Sequence, residues 1–109
     1  LPAATLERRI ESLSHEWGLA SHLASRCDRL GRGVQTRIDI ATALLPARRI
    51  LLLDEPLDTL TPAEASEVTT RLEQLRGAVT VIVATGGHAP IAGSDTVLAL
   101  DRGRLVSGR

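Results

Sequence analysis

The stretch from Ile50 to Pro56 constrains this chain most, because a run of apolar residues ends there in two adjacent carboxylates. Residues 50–53 read Ile-Leu-Leu-Leu with no polar residue between them. That pattern is typical of a strand in a parallel sheet with helices on both faces, and the proline at position 56 ends it. Ligands of open α/β sheets bind beyond the carboxyl ends of the strands. The sequence therefore predicts that Asp54 and Glu55 lie where a bound ligand can meet them.

Two adjacent carboxylates at a strand end suit metal and phosphate chemistry. One of them can hold Mg²⁺ through water while its neighbour polarises an attacking water. The alternative is an acidic turn after a core strand. Short motifs arise by chance, so Leu-Leu-Asp-Glu alone does not separate the two interpretations.

A glycine-rich turn lies about twenty residues before these carboxylates. Residues 30–33 read Leu-Gly-Arg-Gly, and a helical pattern follows in which Val34, Ile38, Ala41 and Leu45 share one face. A helix N-terminus after glycines offers backbone N–H groups and a positive dipole end, which together favour an anion such as phosphate. The order of glycine turn, helix, short linker, apolar strand and Asp-Glu-Pro is more specific than any one of these motifs.

This order resembles the ATP-binding cassette (ABC) family. In that family a signature of the form Leu-Ser-Gly-Gly-x-Gln-x-Arg opens a helix that leads into the Walker B strand. Leu30, Gly33, Gln35 and Arg37 match the signature. The resemblance covers almost the whole chain, as far as residues 101–106, which are similar to the closing hairpin of the domain. Arg32, in place of the first signature glycine, is similar to the drug- and antibiotic-exporting branch.

The resemblance implies an α/β fold, a three-layer P-loop NTPase-like partial domain with a parallel sheet core, a signature helix and a C-terminal hairpin. Residues 1–33 would be a remnant of the helical subdomain with the signature turn, and residues 34–109 would carry Walker B, the D-loop and the switch region. Hydrophobic periodicity and turn residues predict the individual elements. These are helices over residues 5–17, 21–27, 34–45 and 62–76, and strands over residues 49–53, 79–84, 96–100 and 105–107.

The resemblance also implies roles for single residues. Asp54 would bind Mg²⁺ as the Walker B aspartate, and Glu55 would be the catalytic glutamate that positions the hydrolytic water. A second ABC nucleotide-binding domain would hold ATP against the signature turn of this chain, and a transmembrane permease subunit would be the other partner. The parent would then be cytoplasmic, at the inner face of the cell membrane. The residues expected to make this trans nucleotide contact are Gly31, Arg32, Gly33, Val34 and Gln35.

Three positions depart from the family pattern. Gly31 replaces the signature serine, Thr61 stands where the D-loop has an aspartate, and Gly86 stands where the family has its switch histidine. His88 follows two residues later and is a weak candidate for the switch, because a hydrogen bond of fixed reach tolerates little displacement. Thr61 with Pro62 and Glu64 still predicts a helix start with a capping box.

The chain has no lysine and no Gly-x-x-x-x-Gly-Lys segment, so the Walker A half is absent from it. Walker A supplies the phosphate cradle and its lysine, so we predict that this chain alone is inactive. ATP and Mg²⁺ are expected as cofactors of the parent or of a dimer. A length of 109 residues beginning at Leu1 rather than methionine leads us to expect part of a longer protein.

Charge and composition exclude other classes of protein. Thirteen basic and thirteen acidic residues are mixed along the chain, which argues against a nucleic-acid partner. No apolar run is long enough to span a bilayer, so direct membrane insertion is not expected. Cys27 is the only cysteine, which excludes an intrachain disulfide and favours a reducing compartment.

Two functions of different classes remain open. The chain is a fragment of an exporter's ATPase subunit, which couples ATP binding and hydrolysis to transport, or it belongs to a degenerate, non-catalytic cassette that acts as a structural partner of a competent ATPase. The three departures favour the second function, and Asp54 and Glu55 favour the first. A chance match in a small α/β protein is a weaker alternative. Chromosome-maintenance ATPases would need heptads upstream, which the start of the chain does not show.

Overall fold

A computed structural model describes residues 2–86 and 93–108 of the chain. In that part the helices are α1 (Ala3–Glu16), α2 (Arg32–Leu44) and α3 (Pro62–Glu73). The strands are β1 (Ile50–Asp54), β2 (Thr80–Ala84), β3 (Leu98–Asp101) and β4 (Arg104–Gly108). The predicted α/β class is confirmed. The predicted helix over residues 21–27 is wrong, because short 3₁₀ turns at Ala20–His22 and Cys27–Arg29 stand there instead.

Helix α2 begins two residues earlier than the periodicity predicted. Gly31 is its N-cap with an extended backbone, and the Gln35 N–H donates to the Gly31 carbonyl at 3.0 Å. Arg32 and Gly33 therefore lie inside the first helical turn. Apolar periodicity missed this turn because its residues do not contribute to the apolar face. The remaining element boundaries differ from the prediction by at most three residues.

Helix α3 begins as its sequence predicted. The Thr61 hydroxyl accepts a hydrogen bond from the Glu64 N–H at 3.2 Å, and a Glu64 carboxylate oxygen accepts one from the Thr61 N–H at 2.9 Å. Pro62 occupies the first helical position, where the missing N–H costs nothing. This reciprocal capping box fixes where the chain leaves the turn after β1.

The described strands form two small sheets. β1 and β2 are parallel, in register from Ile50 opposite Thr80 to Asp54 opposite Ala84. β3 and β4 form an antiparallel hairpin in which Asp101 pairs with Arg104. The parallel pair confirms the expected sheet type and places the ends of β1 and β2 side by side.

The core lies where α1, α2, α3 and one face of β1 meet. Trp17 and Val68 are its most buried large side chains, with 1% and 0% of their surface exposed. Trp17 is thus a packing residue. The other buried apolar residues are Leu13, Leu19, Ile40, Ala41, Leu44, Leu51 and Leu72.

The opposite face of the parallel sheet is not covered by the described residues. Leu52 is 71% exposed and its register partner Ile82 is 52% exposed, whereas Leu51 is 3% exposed. The second layer of helices expected over β1 is not formed by the described residues, since the helices among them pack against one face of the sheet. Within residues 2–86 and 93–108, no helix is both long enough and apolar enough to cross a membrane.

Candidate functional site

Asp54 and Glu55 lie at the shared carboxyl end of β1 and β2. Asp54 is the last residue of β1, opposite Ala84, and the Glu55 N–H donates to the Ala84 carbonyl at 2.8 Å. The chain then turns, since the Asp58 N–H donates to the Glu55 carbonyl at 3.2 Å. Both carboxylates thus stand at the sheet edge where α/β folds bind ligands.

The backbone of Glu55 is strained. Its φ of 48° lies in the left-handed region, which residues with a Cβ seldom adopt. This conformation costs on the order of 1–2 kcal/mol for a residue other than glycine. The hydrogen bonds of its own N–H and carbonyl hold the residue in place. Such strain clusters at functional sites, and here it directs the turn that follows the strand.

The Glu55 side chain contacts the loop after β2. Its Oε1 accepts a hydrogen bond from the Gly86 N–H. A Cβ added to Gly86 would lie 3.0 Å from that oxygen, so any side chain there requires the carboxylate to shift. The resemblance places the family's switch histidine at this position, where the chain offers its backbone N–H instead.

Asp54 suits one ligand position of a magnesium ion. Mg²⁺ in nucleotide sites is held by one or two carboxylates, with phosphate oxygens and waters completing the octahedron. The Asp54 side chain is exposed at the strand end. Within the described ranges no three histidine, cysteine, aspartate or glutamate side chains gather into a metal site. A single carboxylate in this position fits a metal ion whose other ligands come from a bound nucleotide and water.

The predicted nucleotide-contacting residues form the first turn of α2. Gly31 and Arg32 are exposed, Gly33 is buried, and Val34 packs against the core. The Gln35 side-chain amide donates to the Leu30 carbonyl at 2.9 Å, which ties the helix to the turn before it. The exposed surface of this turn is therefore formed by Gly31 and Arg32.

Glu64 links this turn to α3. Its Oε2 accepts a hydrogen bond from the Gly33 N–H at 3.1 Å, while Oε1 accepts the Thr61 N–H. The bonds from Thr61 and Gly33 lower the pKa of the Glu64 carboxyl from its ordinary value of 4.5. Sequence reasoning found Glu64 as a capping residue of its own helix. It missed the contact with Gly33, because no local pattern relates two residues 31 positions apart.

Arg37, the last matching residue of the signature, contacts the end of α1. Its Nη1 donates to the Trp17 carbonyl at 2.9 Å and to the Gly18 carbonyl at 3.3 Å. Arg71 of α3 donates to the Glu16 carbonyl beside them. Glu67 pairs with both arginines, at 2.7 Å from Arg71 and 3.7 Å from Arg37. Two cations at a helix C-terminus satisfy its last carbonyls and its dipole.

Two glutamate side chains connect the segments that carry the predicted site residues. Glu55 joins the ends of β1 and β2, and Glu64 joins the first turn of α2 to the start of α3. His88 lies outside the described residues. Its assignment as a switch therefore stays a prediction.

Comparison with known proteins matches the chain to parts of larger proteins. The chain matches no family model. It is 34% identical over 110 residues to the probable export ATP-binding/permease protein MacB of Pseudomonas entomophila, covering 100% of this chain and 16% of that protein. It is also 34% identical over 99 residues to the phosphonates import ATP-binding protein PhnC of Anaeromyxobacter dehalogenans, covering 90% of this chain and 20% of that protein.

A solved structure shows the same partial coverage. The cbiO1 protein of Clostridium perfringens, described as part of the ABC transporter complex cbiONQ, superposes with a TM-score of 0.87 at 27% identity. The match covers 99% of this chain and 44% of that one. The chain thus spans less than half of a solved cassette and a small fraction of its curated relatives.

Proposed function

Since this chain is homologous to the ATP-binding domains of exporters in the ATP-binding cassette family and spans only part of such a cassette, we propose that it is the carboxyl-terminal, signature-bearing half of an exporter's ATPase subunit. The parent would couple ATP binding and hydrolysis to transport. Export is favoured by the names of the first relatives and by Arg32, although import proteins also match.

The observation that carries this proposal is the position of Glu55. Glu55 directly follows a parallel strand at the shared carboxyl end of β1 and β2, with Asp54 just before it. A carboxylate so placed can accept a hydrogen bond from water and orient it for attack. The support lies in this position and not in the positive φ of Glu55, which Ala47, Thr59 and Arg102 share.

Asp54 would hold the metal of the parent's own nucleotide. Bound Mg²⁺ would neutralise negative charge on the β- and γ-phosphate oxygens. The backbone N–H groups at the start of α2, with Gly31 and Arg32 exposed, would contact ATP held by a partner cassette. In this proposal residues 1–33 belong to a helical subdomain and residues 34–109 to the Walker B side. A second nucleotide-binding domain and a membrane permease are the partners, with the cassette on the cytoplasmic side.

A second candidate function is favoured by one specific contact. The Glu55 carboxylate is engaged by the Gly86 N–H at the position of the missing switch histidine. A glutamate held in this way is less available to water, and Gly31 and Thr61 remove two further polar groups from the proposed site. In this alternative the parent is a degenerate cassette that completes the interface of a competent ATPase. Nucleotide hydrolysis by the parent separates the two functions.

The intact mass of the protein in its native host tests the premise. We expect a product at least about twice as long as this chain, whose upstream part carries Gly-Lys followed by serine or threonine. If the product begins at Leu1, the proposal can no longer include a phosphate cradle in the same polypeptide. The remaining function would then be the trans contact of the signature turn.

The isolated chain provides a second test. Without a phosphate cradle we predict no steady ATP turnover and no tight ATP binding by residues 1–109 alone. Isothermal titration with Mg-ATP and a phosphate-release assay measure both. Steady release that disappears in a Glu55→Gln variant of the isolated chain would contradict this prediction.

A further inference from the structure

A cleft separates the two small sheets. It has a volume of about 630 Å³ and lies between β2 on one side and residues 93–98, which lead into β3, on the other. Residues at the end of α3 also line it, among them Leu72 and Arg76. Ile82 and Leu98 line the cleft and are 52% and 65% exposed. The cleft therefore presents apolar surface that the described residues leave open.

The cleft follows an edge of β2 and not one face of the sheet. Residues 80–83 all line it, although successive side chains of a strand point to opposite faces of a sheet. Only a cavity along the edge of the strand meets all four residues. In the described part of the chain β2 pairs with β1 alone, so this edge has no neighbouring strand.

The hydrogen bonds of Thr80 and Ala84 show which backbone groups of β2 face the cleft. The Thr80 N–H donates to the carbonyl just before β1, and the Ala84 carbonyl accepts the N–H just after β1, each at 2.8 Å. Both residues thus bond toward β1. In a parallel pair the bonding side alternates along the strand, so Val81 and Val83 direct their N–H and C=O groups away from β1. An exposed edge of this kind is a template for pairing with a further strand.

Arg76 holds the opposite wall of the cleft in place. Its Nη2 donates to the Gly93 carbonyl at 2.7 Å, and its guanidinium pairs with the Asp95 carboxylate. The hydrogen bond and the charge of Asp95 raise the pKa of Arg76. The segment that leads into β3 is thus fastened to the end of α3. The cleft is bounded on both sides and remains open along β2.

The geometry of the cleft restricts what can fill it. An occupant must pair with the edge of β2 and also fit beside β3, which a single extended strand can do. A helix satisfies its backbone groups internally and leaves none along its length for a strand edge. Each described strand of a second copy is already paired in a two-stranded sheet, so a second copy cannot place one strand between the two walls.

A source for such a strand is the part of the cassette that this chain does not contain. The chain superposes on the cbiO1 cassette over 99% of its own length with a TM-score of 0.87, and it covers only 44% of that cassette. More than half of a comparable domain therefore lies outside this chain, whereas the free edge of β2 and the cleft lie within it.

We propose that the cleft between β2 and β3 is the acceptor site for one extended, apolar strand from the part of the cassette that this chain lacks. The strand runs parallel to β2, as in apolar sheets that helices cover, and pairs with Val81 and Val83. Its carboxyl end then lies beside Asp54 and Glu55. This inference rests on the proposed function, which makes the chain one part of a larger domain.

Amide hydrogen exchange in the purified parent and in the isolated chain tests the added strand. In the isolated chain we expect the Val81 and Val83 amides to exchange at least about tenfold faster than the Ile82 amide, which faces β1. In the parent the three amides should exchange at similar rates, because the added strand pairs with both valines. Valine amides that exchange as fast in the parent as in the isolated chain contradict the proposal. Protection in the isolated chain that disappears on dilution assigns the cleft to a second copy and also overturns it.

A charge in the cleft of the parent provides the second test. Leu98→Asp should speed exchange of the Val81 and Val83 amides by about tenfold or more and leave Ile82 unchanged, because a carboxylate there opposes the burial of an apolar strand. Leu23→Asp is the matched control, since Leu23 is also 65% exposed but does not line the cleft. Unchanged valine amides in Leu98→Asp, or an equal change in Leu23→Asp, overturn the proposal. If Leu98→Asp unfolds the parent, the Ile82 amide shows it, and the wild-type comparison decides.

Hydrolysis by the parent, which tests the proposed function through Glu55, is a separate measurement. A parent whose hydrolysis depends on Glu55 but whose Val81 and Val83 amides are unprotected refutes the added strand alone. A parent that protects both valines and does not hydrolyse ATP retains the strand and refutes hydrolysis. A product that begins at Leu1 contains no such strand and overturns this inference.

Discussion

The Glu55 carboxylate accepts a hydrogen bond from the backbone N–H of Gly86, across the ends of two parallel strands. A side chain at position 86 would begin 3.0 Å from the same carboxylate oxygen. The residue proposed to orient water is thus held by the residue that replaces the family's switch histidine. This contact determines what a substitution at position 86 should do.

We predict that Gly86→His raises ATP turnover of the parent by about tenfold or more, because each polar contact to a phosphoryl-transfer site contributes factors of that size. Gly86→Ala is the matched control. It displaces the carboxylate by the same few tenths of an ångström without adding a hydrogen-bonding ring. Steady-state phosphate release measures both variants. Equal rates for the histidine and alanine variants would contradict a switch function at this position.

Substitutions of Gly31 and Gly33, the two glycines near Glu64, should have opposite effects on stability. Gly33→Ala should lower the free energy of unfolding by about 1–3 kcal/mol, since its methyl group meets the stem of Glu64. Gly31→Ser should raise it by a few tenths, about 0.3 kcal/mol, by supplying a side-chain N-cap. Its Cβ would lie 4.0 Å from Glu64, which is ordinary contact. Urea unfolding measures both, and an equal loss in the two variants would refute the assigned contacts.

Glu64 should make stability depend on pH in the acid range. Its pKa is lowered in the folded chain, so its contribution is complete above about 4.5, the ordinary value, and is lost as the pH falls through the folded pKa. Between pH 7 and pH 3 the wild type should lose more stability than Glu64→Gln. Urea midpoints across that range measure the difference. If stability falls equally with pH in the two proteins, protonation of Glu64 does not contribute to the pH dependence of stability.

Arg37 should contribute more to the stability of the fold than an exposed arginine does. Its side chain is largely buried, and its guanidinium donates to the Trp17 and Gly18 carbonyls at the end of α1. Arg37→Ala should cost about 1.5–3 kcal/mol, the usual range for hydrogen bonds to a charged group. Arg48→Ala, at an exposed position after α2, should change stability by less than about 0.5 kcal/mol. Thermal unfolding of both variants is the check, and similar losses would contradict the role given to Arg37.

Local patterns predicted much of this fold. The apolar run of residues 50–53 and the capping box at Thr61 each depend on residues close in the chain, and each predicted element forms. Turn chemistry at Thr61 correctly placed the first residue of α3. The start of α2 was missed because Arg32 and Gly33 contribute nothing to an apolar stripe.

The contacts of the candidate site could be identified only from the tertiary structure. Which N–H each carboxylate accepts depends on how the strand ends and helix starts meet, and Glu55 and Glu64 each reach a residue 31 positions away. The covering of β1 likewise depends on tertiary structure. Residues 50–53 show how apolar both faces are, but not which elements of this chain pack against each face.

Phosphate release by the purified parent with Glu55→Gln tests the central claim most directly. The exchange keeps the size of the side chain and one oxygen while removing the charge that orients water. Asp58→Asn, an exposed acid three residues later, is the control. We predict that Glu55→Gln lowers the rate by about a hundredfold or more, the usual contribution of a positioned base, and that Asp58→Asn retains the parent's rate. A Glu55→Gln protein that hydrolyses ATP at the parent's rate would contradict the assignment of Glu55.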